Sequence, residues 1–375
     1  MPSNIIIGPA YPLRGGIANL NEALCDNFNK AGIKSEIVSF SLQYPGFLFP
    51  GKTQMETSVI SHSFSIHTLI NSINPFTWWK AAKFIKSKKP DYVIIRYWLP
   101  FMAPCLGTIA RWVKSKNIKV IGIADNVIPH EKRTGDASFT KYFINSCDAF
   151  VVMSEKVKED ILLFNKTKPV VCTPHPVYNI FGDAVSKQEA CRRLNLDASY
   201  NYILFFGFIR KYKGLDILLE ALPLLQSRNI KLIVGGEFYE PKKEYLDIIE
   251  KYKLQDNVII ADTYIPKEIV KYYFSAADVV VQPYRNSTQS GVTQIAYSFN
   301  KPMIVTNVGG LPEMVTNGVS GYVTEANAKA IAQSIDEFYI ANKKCEFEKG
   351  VEMEKRRFGW ETFIEKINHL YSTLR

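Results

Sequence analysis

Short apolar runs alternate with amphipathic segments along most of the chain. The apolar runs occupy residues 92–95, 120–123 and 150–153 in the first half, and residues 202–206, 231–234, 258–260, 279–281 and 303–305 in the second. Runs that are apolar throughout are typical of parallel strands covered on both faces. Between them, apolar residues recur with helical spacing, as at Ile17, Leu20, Leu24 and Phe28. This alternation predicts a doubly wound α/β fold.

The strand–helix pattern occurs twice, which predicts two Rossmann-like domains facing each other across a cleft. The N-terminal domain is predicted for residues 1–178 and the C-terminal domain for residues 200–354. The polar segment 179–199 is interpreted as a linker with a short helix, and the amphipathic segment 355–375 as a C-terminal helix that packs back on the first domain. A chain of 375 residues agrees with two domains of ordinary size. Ligands of such sheets bind beyond the carboxyl ends of the strands.

The composition is that of an ordinary globular protein, with 47% hydrophobic and 22% charged residues. Disordered, collagen-like and disulfide-scaffold proteins are therefore excluded. None of the six cysteines forms a CxxC pair, which favours reduced cysteines in a cytosolic protein. Neither a signal-peptide pattern nor an apolar run of about 18 residues occurs, so we expect a cytoplasmic protein.

A formal net charge of +10 leaves three classes of partner open: nucleic acid, an anionic small substrate and an anionic membrane surface. We expect no nucleic acid, because no known binding module is recognisable. Aromatic residues and lysines interleave between Trp78 and Lys119, a pattern that suits a membrane interface but also solvated helices with core tryptophans. Neither GxGxxG nor a Walker motif occurs, and we expect no cofactor.

Two loops of the second domain are candidate anion sites. In residues 206–216, Arg210 and Lys213 lie between the end of a strand and the start of a helix. Cations are unfavourable at that position unless an anion joins them, although a solvated basic loop is the alternative. The polar loop at 282–294 ends a strand and opens a helix. Its backbone N–H groups and hydroxyls predict a second anion cradle, against the alternative of a plain serine N-cap.

Two segments of the first domain are also candidates. Gly15 and Gly16 follow the first strand and open the first helix, where glycines let the backbone approach a ligand or simply form a tight turn. Asp125 and His130 follow a buried strand on the predicted cleft side and are general acid/base candidates. A hydrogen-bonded loop is the alternative for that segment. His175, between two prolines, is interpreted as structural.

The order of these motifs resembles the family 4 retaining glycosyltransferases of the GT-B fold. The resemblance rests on the glycine turns and Lys213–Gly214, and on the sequences 276–279 (AADV), 301–302 (KP), 308–315 (VGGLPEMV) and 321–323 (GYV). It implies a nucleotide-sugar donor held mainly by the second domain, with Lys213 in the place of the family's diphosphate-binding lysine. Phe208 occupies the place of the family arginine, for which Arg210 is the expected substitute.

The resemblance extends to the remaining candidates. Gly15 and Gly16 match the glycine turn that approaches the donor phosphate and sugar. Asp125 falls where many members carry a histidine, and His130 is expected to take part of that role. The family's two glutamates are replaced by Ser287 and Ile295, so donor binding is expected to depend on a short run within the second polar loop. That run consists of Gln289, Ser290, Gly291, Val292 and Thr293.

The resemblance implies a metal-independent retaining enzyme that moves a hexose from a nucleotide-sugar to a glycan or lipid-linked acceptor. Its expected setting is bacterial surface polysaccharide synthesis, in the cytoplasm or at the inner face of the membrane. Two alternatives stay open. The missing glutamates favour a non-catalytic nucleotide-sugar-binding partner of a glycan assembly complex, and a sugar-nucleotide epimerase would use the same fold.

Overall fold

A computed structural model describes residues 2–46, 54–56, 61–128, 134–178, 180–287 and 290–374. The chain divides into two compact units, Met1–Pro176 with Gly359–Arg375, and Val177–Phe358. Residues 179–199, interpreted from the sequence as a linker, belong to the second unit. The reason is local: a helix at Lys187–Leu194 packs on the helix Lys267–Ala276, and Lys187 pairs with Asp278 at 3.0 Å.

The first unit is built on a seven-stranded sheet over its described residues. Its strands are β1 (Asn4–Ile7), β2 (Ser35–Leu42), β3 (Ile66–Asn71), β4 (Tyr92–Tyr97), β5 (Lys119–Ala124), β6 (Ala149–Val152) and β7 (Val170–Cys172). Their order is β3–β2–β1–β4–β5–β6–β7, and every pairing is parallel. Strands β4 and β6 are buried along their whole length, as the apolar runs predict, and so is β1.

Helices follow the strands of this unit in alternation. They are α1 (Gly16–Lys30), α2 (Pro75–Lys88), α3 (Ala103–Val113), α4 (Asp136–Ser146) and α5 (Glu155–Phe164). The C-terminal segment adds a helix at Trp360–Thr373, in which Tyr371 packs on Tyr92 with ring centroids 4.6 Å apart. The hydroxyl of Tyr92 donates to Asn368 Oδ1 at 3.0 Å, which fixes the C-terminal helix to the start of β4.

The second unit contains a six-stranded parallel sheet over its described residues. Its strands are β8 (Asn201–Phe206), β9 (Ile230–Gly235), β10 (Val258–Ala261), β11 (Val279–Gln282), β12 (Met303–Thr306) and β13 (Gly321–Thr324). Its helices are α6 (Lys187–Leu194), α7 (Leu215–Ala221), α8 (Lys243–Lys251), α9 (Lys267–Ala276), α10 (Gly291–Ser298), α11 (Leu311–Met314), α12 (Ala328–Ile340) and α13 (Lys344–Glu354), and the C-terminal helix of the first unit is α14.

The strand orders determine where each sheet can hold a ligand. The order of the second sheet is β10–β9–β8–β11–β12–β13, with all pairings parallel. Successive strands are added in one direction from β8 to β10 and in the other from β11 to β13, so the strand order reverses between β8 and β11, and in the first sheet it reverses between β1 and β4. Crevices beyond the carboxyl ends of strands at such reversals are the usual ligand sites of open α/β sheets. Within the described part of the chain, no helix is both long and apolar enough to cross a bilayer.

Candidate functional site

The loop after β8 forms one wall of the crevice in the second unit. Gly207 donates its N–H to the carbonyl of Gly235 at 2.9 Å, which continues the sheet pairing one residue beyond β8. A 3₁₀ turn at Lys211–Lys213 then leads to Gly214, which has a left-handed backbone with φ 69°. A Cβ atom there would overlap the carbonyl oxygen of Pro283. Glycine is therefore required for the close contact between this loop and the end of β11.

Lys213 projects into this crevice and is only 8% exposed. Its Nζ lies 3.1 Å from the position that a Cβ on Gly207 would occupy, and 5.7 Å from the ring centroid of Tyr284. No carboxylate among the described residues pairs with it. Burial, with the nearby charge of Arg210, lowers the pKa of Lys213 to about 7. A buried ammonium group without a partner is costly, so the site favours an anion.

The three cations of the loop have different surroundings. Lys211 is exposed and pairs with Glu244 at 3.1 Å, as the interpretation of a solvated basic loop predicts. Arg210 is half-buried, and its guanidinium carbon lies 5.1 Å from the ring centroid of Tyr239. Only Lys213 is both buried and without a carboxylate among the described residues. The loop therefore provides one enclosed cation with a second one beside it.

The loop before α10 forms the opposite wall. Ser290 occupies the N-cap position, but its hydroxyl accepts a hydrogen bond from Gln282 Nε2 at 2.8 Å and does not cap the helix. The hydroxyl of Thr293 donates to Gln282 Oε1 at 3.0 Å. The backbone N–H groups of Gly291 and Val292 are thus not taken by the Ser290 side chain, which is the arrangement of an anion-binding helix start.

The two loops meet at Gly207. The Cγ2 atom of Val292 lies 3.4 Å from the Cβ position of Gly207, where Lys213 Nζ also lies. The structure therefore brings the predicted residues Lys213 and Val292 together around Gly207, at the point where the strand order of the second sheet reverses. Gln289, also predicted, lies outside the described residues.

The two positions that the family resemblance aligns with glutamates hold no charge. Ser287 and Ile295 are both buried, and the carbonyl of Ser287 accepts from the N–H of Gly310 at 3.3 Å. The neighbouring Gln294 is fully buried, and neither atom of its amide group has a hydrogen-bond partner in the described part of the chain. Sequence reasoning assigned no separate role to Gln294 or to the wall residue Tyr284.

In the first unit, the predicted glycines lie where the chain enters α1. Gly15 has φ 119°, a region that L side chains rarely adopt, and beyond its chain neighbours no heavy atom of the described residues lies within 4 Å of the position that a Cβ would occupy. The helix begins at Gly16. A backbone that combines left-handed geometry with open space can approach a ligand closely.

Asp125 follows β5 and forms an ion pair with the buried Arg96 that the sequence does not predict. Arg96 Nε donates to Asp125 Oδ2 at 2.6 Å, and Arg96 Nη2 donates to Oδ1. Burial raises the pKa of Asp125, and the positive charge of Arg96 opposes that rise. Since both carboxyl oxygens accept from the guanidinium, Asp125 is engaged as a carboxylate. Its role as a general acid or base stays a prediction, and His130 lies outside the described residues.

Arg96 is the main residue that sequence reasoning missed in this unit. It is 1% exposed and lies in β4, directly after the apolar run 92–95. An arginine is unusual in a buried strand, and its place beside that run was the signal available in the sequence. Its Nη1 atom is buried without a hydrogen-bond partner among the described residues, as are Asn21 Oδ1 and Asn126 Oδ1. Polar groups of this kind are candidates for contact with a polar substrate.

His175 is consistent with a structural role. The ring is buried, and its Nδ1 hydrogen-bonds with the carbonyl of Pro176 at 2.9 Å. Burial lowers the pKa of His175 to about 3, so the ring is neutral at physiological pH. Within the described residues, no cluster of three or more His, Cys, Asp or Glu is arranged to hold a metal ion. The cysteines are free thiols, and Cys345 is exposed.

Two family models together match most of the chain. The model described as Glycosyltransferase Family 4 matches residues 14–178, and the one described as Glycosyl transferases group 1 matches residues 186–349. An uncharacterized glycosyltransferase of Methanocaldococcus jannaschii is 27% identical over 243 residues. The match covers 63% of this chain and 62% of that protein, which is less than two thirds of its length.

Solved structures resemble the whole chain. Sucrose-phosphate synthase from Thermosynechococcus elongatus has a TM-score of 0.75 at 19% identity, with 99% of both chains covered. HepE from Anabaena, solved in complex with UDP-glucose, has a TM-score of 0.74 at 15% identity, again with 99% of both chains covered. At these identities the similarity to solved structures establishes the fold alone, whereas the matches to the family models establish membership of the family. The chain therefore belongs to the family 4 glycosyltransferases and has the GT-B fold.

Proposed function

We propose that the protein transfers a hexose from a nucleotide-sugar to a glycan or lipid-linked acceptor, with UDP-glucose as the first donor to test. The observation that carries this proposal is the buried Lys213, which has no carboxylate partner among the described residues and lies at the strand reversal of the second sheet. HepE, a protein of the same fold, has been solved with UDP-glucose. In this proposal the donor diphosphate supplies the missing negative charge.

The residues of the second unit have distinct tasks in donor binding. Lys213 contacts the diphosphate as a point charge, and Arg210 approaches it from the loop edge. The N–H groups at the start of α10 donate to its oxygens. Because charge on the leaving nucleoside diphosphate grows as the glycosidic bond breaks, these groups stabilise the transition state more than the bound donor. In this proposal no metal ion is required for that neutralisation.

Retention of configuration is part of the proposal and rests on the family. The bond between the sugar C1 and the diphosphate oxygen breaks, and a bond from C1 to the acceptor oxygen forms on the same face. The acceptor hydroxyl proton passes to the leaving phosphate oxygen. Asp125 and the Gly15–Gly16 turn remain candidates for positioning the sugar, and the pairing of Asp125 with Arg96 supports an orienting role.

The decisive experiment measures UDP-glucose binding and turnover by Lys213→Ala. Removing the buried cation is expected to weaken UDP-glucose binding by about 10- to 100-fold, since hydrogen bonds to charged groups contribute about 1.5–3 kcal/mol. Lys211→Ala is the matched control, because Lys211 is exposed and paired with Glu244 in the same loop. Equal binding by Lys213→Ala and the wild type would refute the assignment of this site to the donor.

A non-catalytic nucleotide-sugar-binding protein is the second candidate. It is favoured by the uncharged, buried Ser287 and Ile295 at the positions of the family glutamates. Binding of UDP-glucose without release of UDP, over a panel of acceptors, would support this alternative over transfer. Release of an isomerised sugar-nucleotide without an acceptor would instead indicate an epimerase, so product analysis separates all three.

We also propose that one end of α2 contacts an anionic membrane that carries the acceptor. Phe76 and Trp79 are 79% and 53% exposed, Ile73 is exposed beside them, and Lys83 lies 5.4 Å from the Trp79 ring centroid. By contrast, Trp78 is partly buried, and its indole N–H donates to the carbonyl of Asn71 at 2.7 Å. Exposed aromatics beside lysines suit the interface of anionic lipids.

Vesicle co-sedimentation tests this contact. The wild type is expected to bind vesicles containing phosphatidylglycerol but not vesicles of phosphatidylcholine alone, and the double variant Phe76→Ala/Trp79→Ala is expected to lose binding. Leu163→Ala is the matched control, because Leu163 is an equally exposed apolar residue on α5 of the same unit. Unchanged sedimentation of the double variant would refute the docking surface.

A further inference from the structure

The second sheet has another polar cavity, at the edge opposite the Gly207 crevice. It has a volume of about 440 Å³ and is lined by residues that precede strands or border α6, α12 and α13. Asn201 begins β8, Asp278 directly precedes β11, and Arg228 lies just before β9. The cavity therefore lies at the amino edge of the sheet, and none of its lining residues belongs to the Lys213 site.

Positive charge exceeds negative charge in this cavity, which we call the amino-edge cavity. Asp278 is 3% exposed and accepts from Lys187 at 3.0 Å, from Lys344 at 2.5 Å and from the backbone N–H of Tyr202 at 2.8 Å. Two lysines thus share one carboxylate. Arg228 also lines the cavity, and no ion pair joins it to another described residue.

Another lysine, Lys301, lies close enough to the cavity for the charges of Lys344 and Lys187 to affect its pKa. It is buried, and its nearest carboxylate is Glu348, with Nζ and Oε1 4.0 Å apart. Burial, followed by the charge of Lys344, lowers the pKa of Lys301 to about 8. Burial is thus the main cause of the lowered pKa, and the charges of Lys344 and Lys187 from the cavity lining add to it against the opposing carboxylates of Glu348 and Asp278.

Two hydroxyl groups of the lining lack hydrogen-bond partners within the described chain. Tyr339 Oη and Ser227 Oγ are both buried, and neither donates to nor accepts from another described residue. Burial raises the pKa of Tyr339, so its hydroxyl keeps its proton and can donate. Buried hydroxyl groups normally form hydrogen bonds. Two hydroxyl groups without partners, in a cavity that three cations also line, are the arrangement expected around an oxyanion.

We propose that the amino-edge cavity binds a phosphate monoester of sugar size, with Arg228, Lys187 and Lys344 contacting the phosphate and Tyr339 donating to one of its oxygens. A cavity of this volume falls within the range of small-molecule sites and exceeds the need of a bare phosphate ion. The site is separate from the donor crevice and does not depend on the proposed transfer activity.

Isothermal titration calorimetry of the full chain in phosphate-free buffer tests the proposal, with glucose 6-phosphate as the probe. We expect a dissociation constant below about 1 mM for the wild type. Arg228→Ala is expected to weaken binding about tenfold or more, because it removes a charged donor. Tyr339→Phe is expected to weaken binding too, while leaving the melting temperature of the free protein equal or higher, since it removes an unsatisfied hydroxyl.

Two control variants separate binding in this cavity from binding elsewhere on the protein. Lys329→Ala removes an exposed cation of the same unit outside the cavity and should bind like the wild type. Lys213→Ala should also retain glucose 6-phosphate binding, which makes the result independent of the donor site. Affinity weaker than about 10 mM, or binding lost in Lys213→Ala but kept in Arg228→Ala, would overturn the proposal. Equal affinity for inorganic phosphate would overturn the assignment to a sugar phosphate.

Discussion

Arg96 and Lys213 are both buried cations at the carboxyl edge of a parallel sheet, one in each unit, but they differ in their partners. Arg96 has the carboxylate of Asp125 on two of its nitrogen atoms, whereas Lys213 has no carboxylate among the described residues. A buried cation that carries its own counter-ion is neutralised within the fold. One that lacks a counter-ion is a cost that a bound anion can offset. The comparison assigns a structural role to the two Arg96 nitrogens that pair with Asp125, leaves Arg96 Nη1 as the open donor of that side chain, and assigns Lys213 to ligand binding.

The largest expected effect comes from breaking the paired cation. Arg96→Leu leaves Asp125, whose side chain is 18% exposed, without its counter-ion and is expected to lower the free energy of unfolding by about 3 kcal/mol, the lower end of the cost of breaking a buried pair. The double variant Arg96→Leu/Asp125→Leu should recover most of that loss, because no charge then remains unpaired. Urea unfolding followed by circular dichroism measures both. A loss below about 1 kcal/mol in the single variant would contradict the structural role of the pair.

A backbone change tests the loop that positions the unpaired cation. Gly214→Ala is expected to destabilise the protein by about 2 kcal/mol or more, because φ is 69° and the new Cβ overlaps the Pro283 carbonyl. Gly318→Ala is the matched control, since Gly318 has φ 77° but no heavy atom of the described residues, apart from its chain neighbours, within 4 Å of the position that a Cβ would occupy. Its expected cost is about 1–2 kcal/mol from backbone strain alone. Equal losses of unfolding free energy in the two variants would show that the Pro283 contact contributes nothing.

The lowered pKa of Lys213 predicts a pH dependence of donor binding. In the free protein the pKa of Lys213 is about 7, and a bound diphosphate would raise it because the anion favours the ammonium form. UDP-glucose affinity should therefore be greatest below pH 7 and fall by up to about tenfold per pH unit above it. Calorimetry at about pH 6.5 to 8.5 measures the change of UDP-glucose affinity with pH. Lys213→Arg should abolish most of that change, since arginine stays charged. An affinity that does not change with pH in the wild type would contradict a buried, neutralisable Lys213 at the diphosphate.

The smallest expected effect is at a second paired arginine. Arg285 and Asp216 form the same two-nitrogen, two-oxygen contact, at 2.6 and 2.7 Å, but their side chains are 39% and 24% exposed. Solvent screens such a pair, so Asp216→Asn is expected to cost less than about 1 kcal/mol of unfolding free energy. Chemical denaturation of Asp216→Asn and Arg96→Leu under the same conditions compares the unfolding free energy lost in the two pairs. A cost equal to that of the buried pair would show that geometry rather than burial sets its contribution.

The sequence predicted the two α/β units well because their evidence is local. Apolar runs such as residues 92–95 identify buried parallel strands wherever they lie in the chain. The candidate loop at 206–216 was also visible, since the order of strand end, cations, glycine and helix start is contiguous. The interpretation of 179–199 as a linker missed its attachment to the second unit, which depends on Lys187 reaching an aspartate 91 positions away.

The same distinction separates the site residues. The sequence placed Lys213 in a candidate anion-binding loop, but it did not show that Lys213 is buried or that no carboxylate of the described residues pairs with it. Those properties depend on the loop before α10, which brings Val292 to Gly207. Likewise Asp125 was selected as a polar residue after a strand, whereas its partner Arg96 became visible only when β4 and β5 paired in parallel register.

By itself, the sequence determined the fold class, the number of units and the loops that carry candidate chemistry, because the residues that form a strand or start a helix are neighbours in the chain. Only the tertiary structure decided which charges are paired, which are left open and which cavities they line. Burial and pairing depend on which strands become neighbours, and that choice joins residues far apart in sequence. The roles of Arg96, Lys213 and the amino-edge cavity are therefore properties of the folded protein.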